Sequence, residues 1–254
     1  MNVPGYRVVE HLSRTRRFDT YEVWCEDRAC SCVAKTLRPD RNGDRGARTA
    51  LIAEGERLIG LTHPHIVRGY DLLAEGEVVV IMETLDGETL AHLVDRHPGG
   101  LPAADVAWLG IHLASALRYL HRHGLLHLDV KAGNVVADSG RAKLIDLSLA
   151  RPPGTYPPGI GTWCNLSPEQ ARGGELGPPA DVWGLGTVLY QAATGEEAFG
   201  DDSVEYPQLE GPSPSARGRS PDELAAAIDA CLAHEPSERP TLDELMDRLR
   251  PLAP

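Results

Sequence analysis

The stretch HLDVKAGNVV, residues 127–136, places a carboxylate (Asp129), an ammonium (Lys131) and an amide (Asn134) two and three residues apart. Apolar residues flank them: Leu128 and Val130 around the Asp, Val135 and Val136 after the Asn. Each polar type alone is ordinary in a turn or on a surface. Together, at the mouth of an apolar run that reads as a core strand, they form a candidate for chemistry.

The lysine is informative because the chain uses so few. Three lysines, Lys35, Lys131 and Lys143, stand among 25 basic residues. Where Arg is the usual cation, a compact ammonium points to a chemical requirement rather than generic surface charge. The length of 254 residues suits one large domain or two fused lobes. A hydrophobic fraction of 42% and a charged fraction of 24% describe a globular chain, not a disordered one. The net charge of −12 argues against non-specific binding to nucleic acid or to an anionic membrane. The five cysteines form no Cys-x-x-Cys pair, which predicts reduced thiols in a cytoplasmic protein. The opening MNVPGYRVVEHLSRTRR lacks the apolar core of a signal peptide. The longest uncharged stretch, VWGLGTVLYQAATG at 182–195, is too short to span a bilayer.

The first third reads as strands: YRVVEHL, TYEVWC, CVAKTL, HIVRGYDLL and EVVVIME are rich in β-branched and aromatic residues. The turn AEGE predicts a hairpin from the last two. TALIAEGERLIGL, between the third and fourth, has a helical pattern. The remainder is mostly helical. Val106, Leu109, Leu113, Leu117 and Leu120 form one apolar stripe, and Gly124 suits the end of that helix. Asp181 is expected to open a buried helix, and Ser220 and Thr241 each to head a capping box. DDSVEYPQLEGPSPSARGRS, 201–220, reads as a loop inside the helical part. The boundary falls near 83–86, where a β-rich and an α-rich lobe would meet at a ligand-binding cleft.

The order VAK, Glu54, HxDxKxxN, Asp146, SPE, DVWGLG and RP resembles the eukaryotic-type (Hanks-type) Ser/Thr protein kinase family from about residue 6 to 249. The resemblance implies an α+β, bilobal protein-kinase-like fold. An N-terminal five-stranded antiparallel sheet with one main helix (about 1–84) would precede a mostly helical C-terminal lobe (about 85–254), in a single catalytic domain spanning 1–254. It implies ATP and Mg²⁺, with Mn²⁺ as the alternative ion, and a protein substrate. Phosphoryl transfer needs phosphates held in line, charge neutralised by metal and a base near the attacking hydroxyl. By resemblance, Lys35 would hold the nucleotide phosphates, oriented by Glu54. Asp129 would be the base, Lys131 a contact to the transferring phosphoryl, and Asn134 and Asp146 the oxygen ligands of the metal. Ala34, Met82, Glu83 and Leu85, with Thr84, would surround the adenine; the ordinary alternative for Met82 is a core residue. Glu169 with Arg239, and Asp181, resemble structural braces of the family. Thr162, in GTWCNLSPE, would contact Lys131 and Asp129 and points to Ser/Thr specificity.

The chain departs from the family pattern in three places. Ser13, Thr15 and Phe18 stand where the phosphate loop carries glycines, whose backbone N–H groups approach phosphate closely. Arg14, Arg16 or Arg17 could substitute with guanidinium groups; the alternative is a solvated loop tip. Asp146-Leu147-Ser148 replaces Asp-Phe-Gly. Leu128 replaces the Arg that commonly pairs with an activation-segment phosphate, which predicts activity without phosphorylation of that segment. The intact Lys35, Asp129, Asn134 and Asp146 favour an active kinase; the lost glycines favour a pseudokinase acting as a nucleotide-binding or scaffold module. A small-molecule phosphotransferase is the third reading, disfavoured by the peptide-seating segment. The acidic charge suggests a basic protein target, and control by a regulatory protein partner or through genomic context is expected.

Overall fold

A computed structural model describes residues 3–200 and 204–253. Their contacts divide them into two compact units. One runs to Asp86 and also holds Asp146–Ser148; the other holds Gly87–Ile145 and the chain from Leu149 onward.

The first unit is a five-stranded sheet with one long helix. Strands β1 (Tyr6–Arg14), β2 (Phe18–Cys25) and β3 (Cys30–Leu37) pair consecutively and antiparallel. Helix α1 (Arg45–Gly60) follows, then β4 (Gly69–Leu73) and β5 (Val79–Glu83), giving the order β1-β2-β3-β5-β4. Strand alternation sorts the side chains into two faces. On one face Val23, Cys25, Cys32, Ala34 and Ile81 form an apolar cluster with Val3, Tyr6 and Tyr21. On the other lies α1, at very close range: a Cβ at Gly55 would come 2.9 Å from both Leu72 and Val80. That approach requires glycine.

Helix α1 begins four residues before the apolar pattern at Thr49, because the Asp44 carboxylate accepts from the Ala47 N–H at 2.9 Å and caps the first turn. The fourth strand is shorter than expected. Ile66 and Val67 are buried, but regular pairing starts only at Gly69.

The second unit is mainly helical. The short strand β6 (Glu88–Thr89) leads into α2 (Leu90–Asp95), whose cap is the Thr89 hydroxyl. Helix α3 (Ala103–Arg122) buries Val106, Leu113, Leu117 and Leu120 completely, and Gly124 follows it at φ +72°. The hairpin β7 (Val135–Asp138) and β8 (Arg141–Leu144) comes next, then β9 (Gly154–Tyr156), α4 (Pro168–Arg172) and β10 (Gly174–Leu176). Helices α5 (Pro178–Thr194), α6 (Asp222–Cys231) and α7 (Leu242–Leu249) complete it. Helix α5 is buried almost all round, and α3 packs against both α5 and α7.

Three local expectations change. Helix α5 starts at Pro178, so Asp181 sits inside its first turn rather than opening it. Thr241 does form a capping box with Glu244, but Ser220 does not: its hydroxyl donates to the Ala216 carbonyl, and α6 begins without a side-chain cap. The capping box that sequence reading missed is Ser167 with Gln170 at the start of α4. Of the expected loop 201–220, residues 201–203 lie outside the described part; the rest holds one short 3₁₀ turn, Pro207–Leu209.

Candidate active site

Lys35 leaves β3 on the face that α1 covers. Its ammonium donates to both Glu54 oxygens, at 2.8 and 2.9 Å, and to Asp146 Oδ2 at 3.3 Å. Glu54 is fully buried and Lys35 is 8% exposed. Burial works against the Lys35 charge, but Glu54 and then Asp146 outweigh it and its pKa is raised. Burial pushes the Glu54 carboxyl up to about 7, against the pull of Lys35 and with the push of Asp146. Asp146 Oδ1 accepts the Ser148 N–H at 2.8 Å, which fixes the carboxylate at the start of the Asp-Leu-Ser turn. The ring of Phe18 lies over the Lys35 ammonium, 5.0 Å from its centroid.

Of the residues expected around an adenine, Met82 is buried and is the register partner of Val33. The Glu83 carboxylate accepts the Arg68 N–H at 3.0 Å, and Leu85 is half-buried. Thr84 carries a buried hydroxyl with no hydrogen-bond partner among the described residues. Ala34 is not brought to this set. It lies in the apolar cluster on the opposite face of the sheet, and Val33 takes its place beside Lys35. Counting two residues along the strand from Lys35 would have found Val33.

The expected arginine substitutes divide. Arg14 is committed elsewhere: Nε and a second guanidinium nitrogen grip the fully buried Asp19 carboxylate at 2.7 and 3.0 Å. That pairing, with His11, holds Asp19 below its ordinary pKa despite burial. Arg16 and Arg17 stay exposed at the tip of the hairpin, which Thr15 and Phe18 close through their backbones at 2.9 Å.

In the second unit, HLDVKAGNVV is a loop clamped from below. Asp181, buried in α5, accepts the backbone N–H groups of His127 (2.8 Å) and Leu128 (2.7 Å) and pairs with His121 Nε2 at 2.8 Å. Burial alone would raise its pKa; His121 and the Leu128 N–H reverse this and hold it low. Leu128 adopts φ +63°, a left-handed conformation that strains a leucine. It persists because the neighbours fix both of its polar ends: Asp181 takes its N–H, and Gln170 Nε2 donates to its carbonyl at 3.0 Å. Its side chain packs in an apolar cluster with Leu126, Leu176 and Ala180, joined by Tyr156 and Ile160.

The strained loop presents a closed polar ring. Lys131 Nζ donates to the Thr162 hydroxyl at 2.6 Å and lies 3.1 Å from Asp129 Oδ2. Thr162 in turn donates to Asp129 Oδ1 at 2.6 Å. Asn134 Nδ2 donates to the Asp129 carbonyl at 2.9 Å and to Oδ2 at 3.0 Å. The structure therefore brings Asp129, Lys131, Asn134 and Thr162 together. Arg239 meets both Glu169 oxygens, through one nitrogen at 2.6 Å and another at 2.9 Å, and stacks on Trp183.

The segment after Leu149 is tied by backbone pairing. Leu126 and Arg151 exchange hydrogen bonds at 2.7 and 3.0 Å, and β9 pairs antiparallel with β10. The Gly159 N–H reaches the Gln170 carbonyl, and Gln170 Nε2 also donates to the Ile160 carbonyl at 2.7 Å. Sequence reading found none of the β9–β10 ribbon, whose strands are only three residues each.

Known proteins resemble most of this chain. A family model described as the protein kinase domain matches residues 17–249. The serine/threonine-protein kinase PkaA of Streptomyces coelicolor is 32% identical over 234 residues, 86% of this chain and 42% of that protein. PknB of Mycolicibacterium smegmatis, also described as a serine/threonine-protein kinase, is 33% identical over 227 residues, 82% of this chain and 36% of that protein. PknK of Mycobacterium tuberculosis is 34% identical over 203 residues, 74% of this chain and 18% of that protein. The chain thus spans about two-fifths or less of the length of these relatives.

Proposed function

The chain belongs to the protein kinase domain family, and from that premise we propose that it transfers the γ-phosphoryl group of ATP to Ser or Thr hydroxyls of proteins. The observation that carries this reading is the ring of Asp129, Lys131, Thr162 and Asn134 on a loop fixed by Asp181. Asp129 is the group that takes the proton of the attacking hydroxyl. Thr162, hydrogen-bonded to Asp129 and to Lys131, supports Ser/Thr specificity. Lys131 meets the charge of the phosphoryl group in transit, and Lys35, oriented by Glu54, meets the nucleotide phosphates. Met82, Glu83, Thr84, Leu85 and Val33 flank the base; the unpartnered Thr84 hydroxyl fits a polar ligand at that place.

The oxygen chemistry of two residues, one in each unit, suits a hard cation. Asp146 offers carboxylate oxygens, and Asn134 spends its amide hydrogens on Asp129, which leaves its carbonyl oxygen as a ligand. Mg²⁺ or Mn²⁺ held by such oxygens would neutralise phosphate charge. The net charge of −12 favours a basic protein substrate.

Activity does not depend on an activation-segment phosphate. Leu128 supplies apolar packing where a phosphate-binding Arg would stand, and the β9–β10 ribbon with Gln170 orders the segment without added charge. The test is radiolabelled ATP with a generic basic protein, comparing wild type with Asp129→Asn before and after phosphatase treatment. Label transfer by wild type alone, unchanged by phosphatase, supports the reading. Equal signals from both proteins would remove it.

A pseudokinase is the second reading, favoured by the absent glycines at 13, 15 and 18 and by the ring lying on Lys35. Binding of Mg-ATP without turnover by wild type would select it.

A further inference from the structure

Phe18 opens β2 at a hairpin whose tip, Thr15 to Arg17, is exposed, yet its own side chain is half-buried. Thr20, two residues on and therefore on the same face, is the register partner of Lys35. Phe18 thus points along the face that carries the ammonium. The donors of Lys35 are already directed to Glu54 and Asp146, at 2.8, 2.9 and 3.3 Å. The Phe18 ring, 5.0 Å from Nζ, covers a further side.

An aromatic face is electron-rich and attracts the ammonium, but it repels an anion. Ring and phosphate therefore compete for the same side of Lys35. The backbone of Phe18 is anchored independently of its ring, by its N–H to Thr15 Oγ1 at 3.1 Å and its carbonyl to Thr15 N at 2.9 Å. Rotation of the side chain about its own bonds leaves that anchor intact.

We propose that Phe18 is a displaceable cover on Lys35, which a phosphate-bearing nucleotide must move aside and which sets nucleotide affinity. The proposal rests on the reading of Lys35 as a phosphate contact. A ligand that binds only the uncovered state has its affinity reduced by the fraction uncovered. The strength of a partly desolvated cation–π contact makes that factor about two- to thirtyfold.

The test uses the whole chain with Phe18→Ala, Phe18→Leu and Phe18→Trp, and two separate readouts. The first is acylation of lysines by a limiting dose of acetic anhydride, read by mass spectrometry, with Lys131 and Lys143 as internal references. The second is Mg-ATP binding by calorimetry. Phe18→Ala is expected to raise Lys35 acylation and tighten Mg-ATP by about two- to thirtyfold, with Phe18→Leu intermediate and Phe18→Trp no tighter than wild type. If Phe18→Ala does not fold, Phe18→Leu, apolar without a π face, carries the same comparison. Unchanged Lys35 acylation overturns the cover. Raised acylation with weaker Mg-ATP binding overturns the competition, because the ring would then support the nucleotide. Raised acylation with no Mg-ATP binding by any protein, wild type included, leaves the cover standing and removes the nucleotide reading.

Discussion

The two polar clusters, one in each unit, keep their charges in opposite ways. Around Lys35 the charges are buried and pair with one another: a fully buried Glu54, an ammonium at 2.8 Å, and a ring over it. Around Asp129 the carboxylate and ammonium are more exposed, at 12% and 29% of their side chains, and it is the backbone beneath them that is gripped, by Asp181. A buried pair is costly to break because the surviving charge has nowhere to go. A partly solvated group on a rigid loop can be changed chemically with little effect on the fold. The first cluster should therefore register in stability and the second in rate.

The largest expected effect is kinetic. Asp129→Asn should lower phosphoryl transfer by about 10²–10⁴-fold while leaving the urea midpoint nearly unchanged; a large loss of stability would erase the contrast. Next, Glu54→Ala should cost about 3–5 kcal/mol in urea unfolding by leaving the buried Lys35 only its longer contact to Asp146. A cost below about 1 kcal/mol would mean that the pair is solvated in practice.

The same pair sets a pH dependence that sharpens the comparison. The Glu54 pKa is raised, from an ordinary 4.5 to about 7. Below pH 4.5 the carboxyl is protonated whether folded or not, and its contribution to stability is fully present. Between 4.5 and about 7 the folded state holds the extra proton, so this contribution falls as pH rises and is gone above about 7. Activity should run the other way if the carboxylate orients Lys35, rising with pH through about 7. Glu54→Gln should flatten both limbs, measured as urea stability and kcat/KM against pH. The smallest effect lies away from both clusters. Thr241→Ala removes the cap of α7 and should cost about 1 kcal/mol with no change in rate.

Legibility followed the same division. That Lys35 would meet Glu54, and Thr162 would meet Lys131 and Asp129, was legible because the order of motifs is long. The helices were readable from their apolar periods: the α3 stripe from Val106 to Leu120 is buried as its spacing predicts. Ala34 was misplaced by one residue, since adjacency in sequence is opposition on a strand. Arg14 looked available in the sequence and is engaged by Asp19, five residues on, through a bidentate contact that a list of charges does not reveal. The start of α1, the cap at Ser167 and the β9–β10 ribbon depend on single hydrogen bonds or three-residue pairings too short to leave a period.

By itself the sequence determined the succession of strands and helices and the chemical types at the candidate site, because period and residue chemistry are local properties. Tertiary structure decided which face each strand residue occupies, that Leu128 is held at a positive φ by Asp181 and Gln170, and that Phe18 lies on Lys35. Those outcomes depend on groups up to 53 residues apart meeting at hydrogen-bond distance. Only the closed chain brings such partners together, and only there do their distances set charge, strain and access.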